Sequence, residues 1–549
     1  MTSSLRNVRI YFGGLITLLV IYLLTGIIAF RDDRLFSLHT IRIARAHVQY
    51  LLFSGKPDGG AILKRMASAL FGRRGEAKHP QTIRENERSA MALPVLVYHS
   101  IYTEDDGSAI NTTVAKFRDQ LFLLKRAGYT AITTDELYAF LKGEQKLPEK
   151  SVMITFDDGR RDSYEQADPY LAALGWRAVM FIITRYSLDT ESDYYLNAAD
   201  LRQMEKSGRW DVQVHTHSGH ETYVIDSSGQ RGPFYANKFW LRDARRLETD
   251  EKFKERIMAD MLLGKKKLED TLNKPMRGFA FPFGDFGQNQ TNFNKAPEIV
   301  LASAKKIFNL IFFQGAPGVR FNMNYLPADE TARKEGSFLI RRIIVDSSWD
   351  GAALLSFLEK AAPKALPLND FFLTDNGWIT SWGEVQAGGG KMVLYPRHRD
   401  QKGAGAVLDG TAGWENYEVR ATIEAPLQNS AFLWVRFRDD HHNAACNFGK
   451  GFAHVEQVVD GVKTVKQGVR SPDIEIPRGE FEIMARVYGR NIECYLNNDL
   501  VVASPFLEPS LKQGGIGFKT WDTRPGQTAL IVKTLHVVLL NRDGSYATR

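Results

Sequence analysis

The chain has 549 residues, 44% hydrophobic and 25% charged. That suits about three domains and excludes a disordered or collagen-like polymer, while a total of two cysteines, Cys446 and Cys494, excludes a disulfide-stapled scaffold and a cysteine-rich zinc module. The formal charge of +7 sits at one end: residues 1–92 carry 14 Lys and Arg against 6 Asp and Glu, and the rest carry 57 against 58, so the body gives no reason to expect a nucleic-acid partner.

Ile10 to Phe30 is 21 residues without a formal charge. At about 1.5 Å per residue it spans the roughly 30 Å hydrocarbon core of a bilayer. The run is longer than a cleaved signal peptide needs, and Ile28-Ala29-Phe30 is a poor cleavage site. We therefore expect residues 1–9 as a cytoplasmic N-terminus and 10–30 as a transmembrane signal anchor. Residues 31–92 then form a basic juxtamembrane segment and linker. Arg6 and Arg9 precede the span and Arg31, Arg34, Arg42 and Arg45 follow it, so charge alone does not orient it. Residues 35–55 and 61–74 mix apolar and basic positions at near-helical spacing, either on the membrane surface or as a solvated stalk.

From residue 93 short apolar runs alternate with amphipathic stretches. Strands are expected at Val95–Tyr98, Thr130–Thr133, Val152–Phe156, Ala178–Ile183, Asp211–Val214, Gly278–Phe281, Ile307–Phe313 and Leu339–Val345, with helices at Lys116–Ala127, Asp162–Leu174 and Lys252–Leu272. This alternation predicts an α/β domain with a parallel sheet, closed as a distorted (β/α) barrel over residues 93–360, or else an open doubly wound sheet. His99 follows the first strand, Asp157 and Asp158 the third, and His215, His217 and His220 the fifth. Pro282 to Asp285 follow the sixth and Asp346 the eighth. A barrel gathers such strand ends on one face.

Thr155-Phe156-Asp157-Asp158-Gly159 puts two carboxylates at a strand end, where adjacent side chains point apart. One can face a metal and the other its water; alone, such a doublet reads as a turn. His215-Thr216-His217-Ser218-Gly219-His220 supplies imidazoles. Two imidazoles and a carboxylate leave open positions on a divalent cation, which acidifies water for a neighbouring base.

Together TFDDG, the His215–His220 segment and Phe281-Pro282-Phe283-Gly284 resemble the polysaccharide deacetylases, carbohydrate esterase family 4 or NodB-homology domain. The resemblance implies Asp157 as general base and Asp158, His215 and His220 as metal ligands, with His217 the rival ligand. It implies that the Phe283 backbone N–H joins an oxyanion hole, with Pro282, Asp285 and Trp349 at the neighbouring substrate positions. The opening Leu96-Val97-Tyr98-His99 and the five-residue histidine spacing look like the branch acting on poly-β-1,6-N-acetylglucosamine, where a histidine near the domain start is the general acid. His99 matches it. Gly278-Phe279-Ala280 stand where the family usually has an arginine. The implied activity is metal-dependent N-deacetylation of an N-acetylhexosamine-containing extracellular polysaccharide, releasing acetate. Zinc is the first choice of metal, with nickel, cobalt or iron as alternatives. A non-catalytic exopolysaccharide-binding protein and an O-acetyl esterase are the competing readings. The expected partners are the polysaccharide, the membrane and an exopolysaccharide synthesis or export machinery. The expected place is the inner membrane, single-pass, with the body extracytoplasmic. Tyr223, Phe234, Tyr235, Phe239 and Trp240, in an insertion at 221–250, suit either sugar rings or a packed flap.

Residues 361–370 read as a linker. Beyond it, regularly spaced strands (Tyr417–Ile423, Ala431–Phe437, Glu480–Val487, Asn491–Leu496, Leu500–Ala503, Leu530–Val538) predict a β-sandwich over 371–549. GWENYEVRATI and GGIGFKT resemble the concanavalin-like jelly rolls of carbohydrate-binding modules, which implies sugar binding; a purely structural sandwich is the alternative. Asp439-Asp440-His441-His442 reads as a cation site or a solvated loop, and Cys446 and Cys494 as a disulfide or two buried thiols.

Overall fold

A computed structural model describes residues 38–54, 88–315, 323–327, 330–424, 430–471, 474, 479–505, 507–522 and 529–547. The expected membrane span at 10–30 and the segment 61–74 lie outside them. Among the described residues no helix is long and apolar enough to cross a membrane.

Helix α1 (Leu38–Ser54) is not a free-standing solvated stalk, because one face packs on the barrel. Ile43, Ala46 and His47 form a buried stripe at three- and four-residue spacing. The helix packs on α3 (Arg161–Leu174), and its Tyr50 and Phe53 rings lie 5.2 and 5.5 Å from Phe122 of α2 (Val114–Arg126). His39 Nε2 lies 2.7 Å from the fully buried carboxylate of Asp168, which also accepts from Arg209 and from Trp210 Nε1.

The barrel strands are β1 (Val95–Tyr98), β2 (Thr130–Ala131), β3 (Ser151–Phe156), β4 (Ala178–Ile183), β5 (Trp210–Thr216), β6 (Gly278–Ala280), β7 (Leu310–Gly315) and β8 (Phe338–Ile344). All pairings are parallel in the order β1-β8-β7-β6-β5-β4-β3-β2, and β1 also pairs with β3. Seven strands therefore close a ring, with β2 outside it. β3 and β4 are buried along their whole length, as strands covered on both faces must be. β2 is shorter than expected because Thr133 caps the next helix, closing a capping box with Glu136. The seventh strand starts three residues late because Ile307 ends a helix, Ala296–Ile307. Two further helices flank the ring, the long α4 (Asp250–Leu272) and α5 (Gly351–Ala361).

The C-terminal region is an all-β sandwich of two antiparallel sheets. Cys446 in one sheet and Cys494 in the other form a disulfide across the core. Residues 361–370 are not a loose linker. Lys364 N donates to Gly410 O, Trp414 Nε1 donates to Lys364 O, and Leu368–Asp370 is a strand paired with Leu530–Leu539. The Tyr325 ring, whose strand pairs with Ala92 just before β1, lies against Gly413, where a Cβ would come within 3.0 Å. The sandwich thus meets the barrel at the N-terminal ends of the strands.

Candidate active site

The opposite, C-terminal ends of the strands converge. Asp157 and Asp158 leave β3, His215 is near the end of β5, and His99 leaves β1. Asp158 turns into the left-handed region (φ 72°), so its carboxylate diverges from that of Asp157. Its Oδ1 lies 3.2 Å from His220 Nε2 and 3.5 Å from His215 Nε2, yet is buried without a hydrogen-bond partner. His215 Nδ1 lies 2.8 Å from the Ala280 carbonyl and donates to it, which leaves the Nε2 lone pair facing Asp158. Burial alone would raise the Asp158 pKa, but His215 and His220 hold it well below the usual carboxylate range. The ligand atoms of all three residues lie within 4.8 Å of one another. Two imidazoles, one carboxylate and an orphaned carboxylate oxygen fit a divalent cation with open positions.

His217 is turned away. Its Nδ1 lies 3.0 Å from Thr184 Oγ1 and its Nε2 3.9 Å from Asp189. The turn that brings His220 back is built on Asp260 of α4, which sequence reading missed. This buried carboxylate accepts from Thr216 Oγ1 (2.5 Å), Ser218 N (2.6 Å), His217 N (3.1 Å) and Tyr235 OH (2.6 Å). Gly219 is required at the crossing, where a Cβ would lie 2.7 Å from both Thr216 Oγ1 and the Tyr235 ring.

Asp157 is gripped by a second missed residue. Arg342 of β8, itself buried, donates from Nη1 to Oδ1 at 2.5 Å and from Nη2 to Oδ2 at 2.8 Å. Burial would raise the Asp157 pKa, but the Arg342 charge, with His215 and His99, brings it below the ordinary value. His99 Nε2 lies 4.0 Å from Asp157 Oδ2, its Nδ1 is buried without a hydrogen-bond partner, and burial, with the Arg342 and His215 charges, lowers its pKa against the pull of the two aspartates.

Phe283 follows buried Pro282 in a tight turn (Pro282–Gly284) at φ 59°. Its ring is 43% exposed and lies 4.7 Å from the His220 ring. Across from it, Arg161 N donates to Tyr194 O and Leu196 N to Gly159 O, lacing Tyr194 and Tyr195 beside the Asp158 turn. The other two expected substrate residues, Asp285 and Trp349, have local partners. The Asp285 carboxylate accepts from Gly287 N and closes its own turn. The Trp349 ring lies 4.9 Å from Phe357 of α5, and its carbonyl accepts from Gln120 of α2. Neither has a described contact with the Asp157–Asp158 cluster.

The 221–250 insertion is a packed flap: Tyr223 stacks on Phe239, Phe234 meets both edge-on, and the Arg256 guanidinium lies 3.6 Å from the Phe239 ring. In the sandwich, His442 is held by Asp439 at 3.0 Å and Asp460 at 3.1 Å, a hydrogen-bonded hairpin tip.

This ring of parallel strands, carrying an Asp-Asp doublet and two imidazoles at one mouth, defines the class, and residues 144–298 match the profile of the polysaccharide deacetylase family. Residues 144–298 thus carry the pattern of a polysaccharide deacetylase domain. It is 25% identical over 202 residues to the poly-β-1,6-N-acetyl-D-glucosamine N-deacetylase of Escherichia coli K12, covering 34% of this chain and 30% of that relative. The enzyme of the same name from Staphylococcus aureus MRSA252 is 26% identical over 289 residues, covering 50% of this chain and 87% of that relative. A solved de-N-acetylase from Aggregatibacter actinomycetemcomitans is 21% identical with a TM-score of 0.41, covering 49% of this chain and all of that one. The chain thus spans under a third of the length of its Escherichia coli relative.

Proposed function

We propose that the protein removes N-acetyl groups from an N-acetylhexosamine polymer, with poly-β-1,6-N-acetylglucosamine the substrate its relatives' names suggest. The observation that carries this reading is the pairing of an Arg342-clamped Asp157 with the Asp158, His215 and His220 cluster. A divalent cation held by that cluster, zinc first, would supply Lewis-acid polarisation of the acetyl carbonyl and a more acidic water. Asp157 is aimed by Arg342 and retains free lone pairs to accept the water's proton. His99, 4.0 Å from Asp157, is the group placed to donate a proton to the departing amine. The Phe283 N–H and exposed ring line the same mouth and serve the oxyanion and the sugar. Water and amide thereby give acetate and a free amino sugar.

The Cys446–Cys494 disulfide supports an oxidising, extracytoplasmic location for the body. We place residues 10–30 in the inner membrane on the same grounds of chemistry and hydropathy. The test is acetate release by the full chain across N-acetylated glycans and O-acetylated xylan, with and without a chelator. Release from the N-acetylated polymer that stops with chelator or Asp157→Asn supports the reading. Release from xylan alone replaces it with an O-esterase, and no release with either leaves a binding protein.

A further inference from the structure

The strands of the ring carry two alternate sets of side chains. One set, with Leu96, Ile154, Val214, Phe279 and Ile311, packs outward against the helices. The other, with Val95, Met153, Phe181, Ala280, Phe312 and Ile340, meets in a separate cluster that fills the interior of the ring. Followed toward the C-terminal strand ends, the inward set continues as Thr155 of β3, His215 of β5, Gln314 of β7 and Arg342 of β8. Gln314 and Arg342 are partners in the register, and Phe312 below them pairs with Ala280 on one side and Ile340 on the other.

Three of these four polar side chains are accounted for. Thr155 Oγ1 donates to the Leu96 carbonyl, Arg342 grips Asp157, and His215 donates to Ala280 and faces Asp158. Gln314 differs: its Oε1 is buried without a hydrogen-bond partner. The turn that carries Phe283 rests directly on this residue, since a Cβ at Gly284 would lie 2.3 Å from Gln314 Cγ and 2.7 Å from its backbone oxygen. The carboxamide therefore stands between the Arg342–Asp157 fork and the Phe283 turn, whose ring meets His220.

A buried acceptor without a donor is an exception in folded proteins, and at a strand end facing a cleft a ligand can supply the donor. An acetamido group has one N–H to give, whereas an acetate ester of the same shape has none. We propose that Gln314 is a substrate contact that selects amides over esters, its Oε1 accepting from the acetamido N–H of the sugar held at the Asp158, His215 and His220 cluster. The proposal rests on the polysaccharide reading for its choice of substrate and adds what the site requires of the group it cleaves. A site built to bond a substrate N–H rejects the analogue without it, because its own acceptor then stays unpaired.

The test is the affinity of the full chain, made inactive by Asp157→Asn, for two oligomers, read by calorimetry. One is β-1,6-linked N-acetylglucosamine; the other is the matching glucose oligomer acetylated on the hydroxyl that replaces the nitrogen. The amide should bind more tightly. Gln314→Met, which keeps the Cγ packed on Gly284, should weaken the amide about tenfold, the worth of one hydrogen bond, and leave the ester unchanged. The ester thus also reports that the variant is folded. Gln314→Glu, which keeps an acceptor at the same reach, should recover part of the amide affinity. Equal loss on both oligomers would make Gln314 a prop for the Phe283 turn and overturn the proposal. So would an unchanged amide affinity in Gln314→Met, or no preference for the amide before it. Acetate release by the unmodified chain judges the catalytic reading separately: a chain that releases none, yet loses amide affinity in Gln314→Met, keeps this proposal and loses that one.

Discussion

Arg342 meets Asp157 as a fork, each carboxylate oxygen taking one guanidinium nitrogen, at 2.5 and 2.8 Å, with both side chains buried. The two residues lie 185 positions apart and on strands that flank β1. Removing one member of such a pair leaves a buried charge alone, which costs about 3–5 kcal/mol. Arg342→Met should therefore lower the melting temperature and abolish acetate release. Arg342→Lys should restore part of the stability but not the aim of Asp157, because one ammonium cannot make two parallel bonds. Normal melting and turnover in Arg342→Met would show that the fork does nothing.

The two histidines after His215 should separate cleanly. His220→Ala should lose bound metal, measured by elemental analysis of the purified chain, together with activity. His217→Ala, which removes a contact to Thr184, should keep both. The reverse pattern would put the ligand at His217.

Asp260 touches no proposed ligand side chain, yet it receives four donors around the 216–218 turn. Asp260→Asn loses acceptor capacity there and should weaken metal affinity by roughly 10–100-fold, the usual cost of losing support around a ligand. Titration of the apo chain with zinc would read this; an unchanged affinity would assign Asp260 to folding alone.

Asp168 provides a pH signature. Burial would raise its pKa, but Arg209 and His39 hold it below the ordinary carboxylate range. A carboxyl depressed in the fold stabilises it above the unfolded pKa of about 3.9 and loses that contribution as pH falls toward the folded value. Asp168→Asn should thus be less stable than the unmodified chain at pH 7, by roughly 1–3 kcal/mol. The gap should shrink below about pH 4. Trp210 fluorescence during denaturation follows this directly, and a gap that widens in acid would contradict the assignment.

The barrel was legible because its strands are short apolar runs that end in polar residues, as at Phe156-Asp157 and Thr216-His217. The cluster was legible because its members sit close in sequence to those ends. Arg342 and Asp260 were not. Each acts across the fold, from β8 and α4, and nothing local marks Arg342 apart from Arg341 or Asp260 within an amphipathic helix.

Hydropathy draws the edge of the catalytic unit at residue 93, but Asp168 draws it elsewhere. That one carboxylate ties His39 of α1 to Arg209 and Trp210, at the root of the strand that carries His215. A chain trimmed to start at residue 93 would bare Phe122 and strip a partner from a charge with no access to water. The leading helix is a keystone of the barrel, and a load placed on it would pass to the base of the strand that carries His215.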